Sequence, residues 1–231
     1  MIVTIHQPNF LPWLGFFDKM ACADVFVLLD QVQFTRRGYQ NRVQIKGSSG
    51  VQWLTVPVKT KGKYYQLTSE VEIDGEADWK KDHLRTLHTL YSGTAGYANT
   101  IAAVEELYTP QLRKLTDLTI PGITLIAERL GISPRLIRAS ELNVSGSRSE
   151  LLANLVAAVG GNTYLSGPSG KQYLDEGVFA ERGIRVEYHH FEPKPYPQRF
   201  GPFIAGLSGL DYLFHDPTLS VWKMMRGDHV Q

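Results

Sequence analysis

The sequence predicts an α/β protein of the Rossmann-like type, in which a parallel sheet of about five strands is covered by helices. Short apolar segments alternate with stretches of helical spacing, as in strand–helix–strand units. Polar residues directly follow several of these segments, where parallel sheets place their ligands. The chain has 231 residues, 43% of them hydrophobic, which is enough for one domain with a sizeable core. The expected strands lie near residues 2–6, 25–29, 135–139, 163–166 and 185–190.

The first thirty residues form the first strand–helix–strand unit. An apolar run over residues 2–5 ends at the polar segment His6-Gln7-Pro8-Asn9. A turn and an amphipathic helix lead to a second apolar run, residues 25–29, which Asp30 closes. Because the carboxyl ends of parallel strands share one edge of the sheet, we expect these polar residues at a common site.

Residues 31–131 are expected to form an insertion between strands of the sheet. Alternating polar and apolar residues at 41–46 and 51–58 predict a β-hairpin. Apolar residues at helical spacing predict helices between residues 76 and 131, and Gly131 is expected to end the last of them. The insertion therefore combines a hairpin with helices.

The final third of the chain returns to alternating strands and helices. Ser147 is expected to begin a helix, with Glu150 three residues later as in a capping box. The next strand ends in the small-residue loop 166–171, and the last strand, 185–190, precedes two terminal helical segments. No repeats or flexible linkers divide the chain, so residues 1–231 are predicted to form one α/β domain.

Composition excludes several classes of function. A formal net charge of +1 argues against a nucleic-acid-binding protein. The single cysteine excludes a disulfide framework and a multi-thiolate metal site, and no metal site is predicted. The sequence does not assign a cofactor, and a need for ATP or magnesium is left open. No segment reads as a secretory signal or a membrane span, so a cytoplasmic protein without membrane insertion is expected, its oligomeric state unassigned.

His6 is the leading candidate for acid–base chemistry. An imidazole exchanges a proton near neutral pH, and the amides of Gln7 and Asn9 suit a sugar hydroxyl, an amide or a carboxylate. The alternative is a strand-end histidine bonded to the backbone. Asp30 could orient His6, bind a ribose hydroxyl or cap a turn. His6 and Asp30 are therefore the predicted catalytic residues, and Gln7 and Asn9 are predicted to bind substrate.

Further ligand contacts are expected from basic, polar and aromatic residues. Arginine binds phosphate or carboxylate through a planar fork, and lysine supplies a point charge. The loop at 166–171 allows a close approach to an anion, although it lacks the spacing of a phosphate loop. A solvated strand face, a helix cap and core packing are the competing interpretations. The predicted binding residues are Trp13, Gln33, Asn41, Arg42, Arg148, Ser166, Ser169 and Lys171.

Four segments carry a resemblance to a known family. The N-terminal IHQPNFLPWLGFFDKM, followed by DQVQFTRRGYQNRVQIK, SRSELLANL and TYLSGPSGKQYLD, resembles the WbqC-like protein family over nearly the whole chain. Genes of this bacterial family often lie beside genes for O-antigen and other surface polysaccharides, so the resemblance implies a role in the synthesis of these polysaccharides. The opening is also similar to that of nucleotidyltransferases, but Trp13 and Phe16 replace the two histidines of their H-x-G-H signature.

Three functions remain open at this stage. The first is an enzyme of surface-polysaccharide synthesis that transfers an acyl or aminoacyl group to an amino sugar, either free or nucleotide-linked. The second is a nucleotidyl or adenylyl transferase on the same fold. The third is a non-catalytic binding protein of the polysaccharide machinery. The first two imply a small-molecule substrate, either a nucleotide sugar or an amino acid.

Overall fold

A computed structural model describes residues 1–76, 78–109 and 111–226 of the chain. The last five residues of the predicted domain lie outside these ranges. In chain order the strands are β1 (Ile2–His6), β2 (Val25–Leu28), β3 (Arg42–Gly47), β4 (Gly50–Thr55), β5 (Arg135–Arg138), β6 (Thr163–Ser166) and β7 (Arg185–Tyr188). The helices are α1 (Leu14–Ala21), α2 (Trp79–Tyr91), α3 (Tyr97–Leu107), α4 (Thr116–Arg129), α5 (Arg148–Ala158), α6 (Glu176–Ala180), α7 (Gly209–His215) and α8 (Ser220–Arg226).

The predicted fold class is confirmed. Five strands form one sheet in the order β5-β2-β1-β6-β7, and each pair of neighbours is parallel. Counted along the chain, this order is third, second, first, fourth and fifth, as in Rossmann-like sheets. Strands β2 and β6 are buried along their whole length, which explains the uninterrupted apolar sequence of β2.

Two apolar clusters cover the two faces of the sheet. Successive strand residues point to opposite faces, so Val25 and Val27 pack with α5 and α6, while Phe26 and Leu28 pack with the insertion and α1. The second of these clusters is the larger and takes in residues of the hairpin, of α2 to α4 and of the C-terminal helices. The insertion is therefore packed continuously against one face of the sheet.

The predicted hairpin and helices of the insertion are present, with one revision at a later helix. Strands β3 and β4 pair antiparallel, and Gly131, with φ of 70°, follows the end of α4 in the left-handed conformation. The prediction of a capping box at Ser147 was wrong. Its side chain makes no capping hydrogen bond, and Arg148, the first residue of α5, has an unusual φ of 50°.

Among the described residues, no helix combines the length and apolar character needed to cross a membrane.

Candidate functional site

A crevice opens between β1 and β6 at the carboxyl edge of the sheet. The ladder between β1 and β2 runs through His6, and that between β6 and β7 runs through Ser166. By contrast, β1 and β6 pair only as far as Val3 and Tyr164, so their last residues are no longer in register. From β1 the chain continues to β2 on one side of the crevice, and from β6 it continues to β7 on the other side. This switch point is where parallel α/β sheets bind ligands.

Three adjoining cavities meet at His6. One of about 570 Å³ lies on the α5 side, and one of about 330 Å³ lies over α1 and the loop after β6. A third, of about 410 Å³, lies between the β1 loop and the hairpin. His6 lines all three, which makes it the centre of the candidate site.

The His6 ring is held as a neutral imidazole. Its Nδ1 lies 3.0 Å from the carbonyl oxygen of Gln7, so Nδ1 carries the proton and Nε2 is left as an acceptor. The ring also packs edge-on against Phe16, with 4.8 Å between centroids. Burial, reinforced by the positive charge of Lys19, lowers the pKa of His6 from 6.5 to about 3 despite the Gln7 carbonyl. His6 can accept a hydrogen bond from a ligand, but it is not a cation at neutral pH.

Lys19 is the main site residue that sequence reasoning missed. It lies on α1, is only 5% exposed and lines the cavity beside Ser166. Its Nζ donates to the carbonyl oxygen of Ile5 at 3.3 Å, beyond the point where the ladder between β1 and β6 stops. Burial lowers the pKa of Lys19 from 10.5 to about 8. The sequence carries no signal of this burial, because only the packing of α1, whose residues 14–20 are all buried, reveals it.

Trp13 forms an aromatic wall between two of the cavities. Its indole lies over Gly15, where an added Cβ would be 2.4 Å from the ring, so only glycine permits this arrangement. Phe191 meets the same indole edge-on at 5.4 Å, and 38% of Trp13 stays exposed. The predicted contact residue Asn9 lines the cavity on the hairpin side of this wall.

The loop after β6 forms the opposite wall. Ser166 is buried, and its hydroxyl donates to the carbonyl of Gly167 at 3.1 Å. An added Cβ at Gly170 would lie 2.1 Å from Ser166 Oγ, so the glycine makes room for this hydroxyl. Ser169 lines the same cavity as Lys19. The structure thus brings Ser166 and Ser169 to His6, as the sequence predicted.

Gln7 and Arg148 line the largest of the three cavities. Arg148 is exposed, and its guanidinium makes no hydrogen bond or ion pair within the described parts of the chain. Its positive φ of 50° is unusual for a residue with a side chain, and such conformations are frequent at ligand sites. Arg148 is therefore available to a ligand at the mouth of this cavity.

The structure places Asp30 in a different environment. Asp30 is fully buried, and both of its carboxylate oxygens are engaged. Oδ2 accepts from Arg138 Nε at 2.9 Å and from Ser140 Oγ at 2.8 Å, while Oδ1 accepts from the Ser140 amide at 2.9 Å. Asp30 lines none of the three cavities at His6, so its contacts favour a structural role over its predicted catalytic one.

Four predicted binding residues also make contacts away from the three cavities. Arg42 stacks on Trp53 at 4.1 Å, and the Asn41 amide donates to the carbonyl of Val56. Gln33 donates to the carbonyl of Tyr64, and Lys171 lies over the ring of Tyr188 at 5.3 Å. These contacts hold the four side chains against neighbouring residues of the insertion and of β7. A ligand role for these residues stays a prediction.

A charged cluster next to the site was not predicted. His189, which lines the Lys19 cavity, lies with Nε2 2.6 Å from Asp18 Oδ2, and Arg226 donates to Asp18 and to the sulfur of Cys22 at 3.2 Å. Burial lowers the pKa of His189, but Asp18 and Cys22 outweigh it and raise the pKa to about 8. Asp18, Cys22 and His189 have potential metal-binding atoms within 4.8 Å of one another. The Arg226 guanidinium contacts Asp18 and Cys22 and supplies the positive charge that a bound metal ion would otherwise provide.

The comparisons with known proteins agree with the resemblance seen in the sequence. A model of the WbqC-like protein family matches residues 7–221. An uncharacterized protein of Mycobacterium tuberculosis (strain ATCC 25618 / H37Rv), Rv1507c, is 39% identical over 215 residues, which are 92% of this chain and 93% of that protein. No solved structure matches the chain. The family match begins at Gln7, directly after β1, and reaches the first residues of α8, and the chain belongs to the WbqC-like protein family.

Proposed function

We propose that the protein is an enzyme of bacterial surface-polysaccharide synthesis that transfers an acyl or aminoacyl group to an amino sugar. Membership of the WbqC-like family supports the pathway. The observation that carries the reaction class is the neutral His6 imidazole, whose Nε2 is an acceptor where three cavities meet. A cytoplasmic location, where activated sugars are made, is part of the same proposal.

In this proposal the amine of the sugar attacks the carbonyl carbon of an acyl donor. The new C–N bond forms, the bond to the leaving group breaks, and the leaving group keeps that electron pair. The amine proton passes to His6 Nε2, which then returns it to the leaving group. Gln7 and Asn9 orient the sugar, and Trp13 covers one of its faces. The three cavities offer separate places for the sugar, the donor and the leaving group.

The test is a turnover screen read by mass spectrometry. The protein is incubated with nucleotide sugars that carry a free amino group, together with acyl thioesters or with ATP and amino acids. The proposal expects one sugar to gain the mass of the acyl or aminoacyl group. His6→Gln should lower the rate at least about a hundredfold, as expected for loss of a proton acceptor. His190→Gln, at an exposed histidine just after β7, is the matched control and should be unaffected.

Three outcomes would oppose the proposal. Nucleotide transfer to a sugar phosphate with release of pyrophosphate would favour the nucleotidyltransferase alternative, which the sheet order also allows. Normal turnover by His6→Gln would remove His6 from the chemistry. Binding of a nucleotide sugar without turnover under any donor condition would favour the non-catalytic alternative.

A further inference from the structure

We infer that Lys19 is the cationic centre of a phosphate-binding subsite in the crevice between β1 and β6. The inference rests on the proposed function in taking the phosphate to belong to a nucleotide-linked amino sugar. The subsite is the cavity of about 330 Å³ that Lys19 shares with Ser166, Ser169 and His189.

The charge of Lys19 has no counter-ion in this part of the structure. Lys19 is 95% buried, and its one hydrogen bond to the protein is the 3.3 Å contact with a neutral carbonyl, that of Ile5. No Asp or Glu in the described parts of the chain lines the cavity. The adjacent Asp18 is committed to His189 and Arg226. A buried ammonium group without a carboxylate is costly unless a ligand supplies the negative charge.

The other groups around the cavity suit an oxyanion with several acceptor oxygens. The Ser169 hydroxyl can donate a hydrogen bond, the Ser166 hydroxyl can do so by turning from the Gly167 carbonyl to a ligand, and the His6 ring adds no negative charge. His189 carries a raised pKa, of about 8, and its charge at neutral pH is paired with Asp18, so this pair leaves no net negative charge beside the cavity. A lysine is a point charge of the kind that commonly binds phosphate, whereas a planar carboxylate is best matched by the fork of an arginine.

Phosphate in this subsite would also act on His6. The Lys19 charge is one of the causes that lower the pKa of His6, after burial. A phosphate bound to Lys19 offsets that charge and raises the pKa of the imidazole, which makes His6 a stronger proton acceptor when substrate is present. The phosphate subsite would therefore couple substrate binding to the reactivity of the base.

Pyrophosphate titrated into the full chain, followed by calorimetry, tests the subsite without any turnover. Wild type and Lys81→Met should bind equally, because Lys81 is an exposed lysine on α2 that lines none of the three cavities. Lys19→Met should weaken binding by about tenfold or more, the loss expected for a charge-assisted hydrogen bond. Ser166→Ala, a small change at a buried position, should weaken binding more mildly and serves if Lys19→Met fails to fold.

Three results would overturn the inference. The first is equal pyrophosphate binding by wild type and Lys19→Met, or by wild type and Ser166→Ala where Lys19→Met does not fold. The second is an equal loss of binding in Lys81→Met, which would make the effect one of general charge. The third is acetate binding as tight as that of pyrophosphate, which would make the subsite one for carboxylates. Pyrophosphate binding that depends on Lys19, without acyl transfer in the turnover screen, would count against the proposed reaction and leave the subsite standing, so the two failures can be told apart.

Discussion

Replacing Lys19 by methionine should stabilise the folded protein near neutral pH. Burial lowers the pKa of Lys19 from 10.5 to about 8, so the charged form is less stable in the folded protein than in the unfolded chain. At about 1.4 kcal/mol per pKa unit, this difference opposes folding by about 3 kcal/mol at pH 7. Methionine cannot donate to the carbonyl of Ile5, a loss of about 1 kcal/mol. A net gain of about 2 kcal/mol is therefore expected.

The assay is urea unfolding of both proteins between pH 7 and pH 10. Because the folded pKa of Lys19 is depressed, its unfavourable contribution is complete below about pH 8 and disappears as the pH rises towards 10.5. The advantage of Lys19→Met should shrink over the same range. Lys171→Met, at an exposed lysine, should change stability by less than about 0.5 kcal/mol at every pH. A Lys19→Met protein that is less stable at pH 7, by an amount independent of pH, would show that Lys19 is a stabilising, well-paired residue and refute the reasoning.

Three further predictions concern residues around the crevice. Burial lowers the pKa of His6 from 6.5 to about 3, so at pH 4 the unfolded chain binds a proton that the folded protein does not. Between pH 7 and pH 4, wild type should therefore lose about 3 kcal/mol of unfolding free energy that His6→Gln does not lose. Equal acid sensitivity of the two proteins in urea unfolding would contradict this. Asp30→Asn should cost about 2 kcal/mol of stability by removing the buried carboxylate that accepts from the partly exposed Arg138 and from Ser140. It should leave the activity of the folded protein intact, and loss of activity alone would restore Asp30 as catalytic. Gly15→Ala should displace the Trp13 indole, which a changed tryptophan emission would report and an unchanged spectrum would exclude.

The sheet was predictable because the sequences of its strands indicate which of them are buried. Residues 25–28 are apolar throughout, as a strand buried on both faces requires, and the polar segment that begins at His6 follows β1 directly. The parallel pairing then placed His6 and Ser166 at the same edge. These residues could be assigned to one site because regular structure alone determines where strand ends meet.

The rest of the site depends on contacts between distant segments. Lys19 reads as an ordinary polar residue of an amphipathic helix, and only the packing around α1 shows that it is buried. Asp30 follows a strand just as His6 does, but its carboxylate turns to Arg138 and Ser140, more than a hundred residues away along the chain. Arg42 looked like an anion ligand from its charge alone, whereas stacking on Trp53 decides its position.

The most direct test of the central claim is a crystal structure of the protein with a bound nucleotide-linked amino sugar. The account predicts a phosphate oxygen about 3 Å from Lys19 Nζ and the sugar amine at hydrogen-bond distance from His6 Nε2, inside the crevice between β1 and β6. A ligand bound instead against the hairpin at Arg42, with the crevice filled only by water, would contradict it.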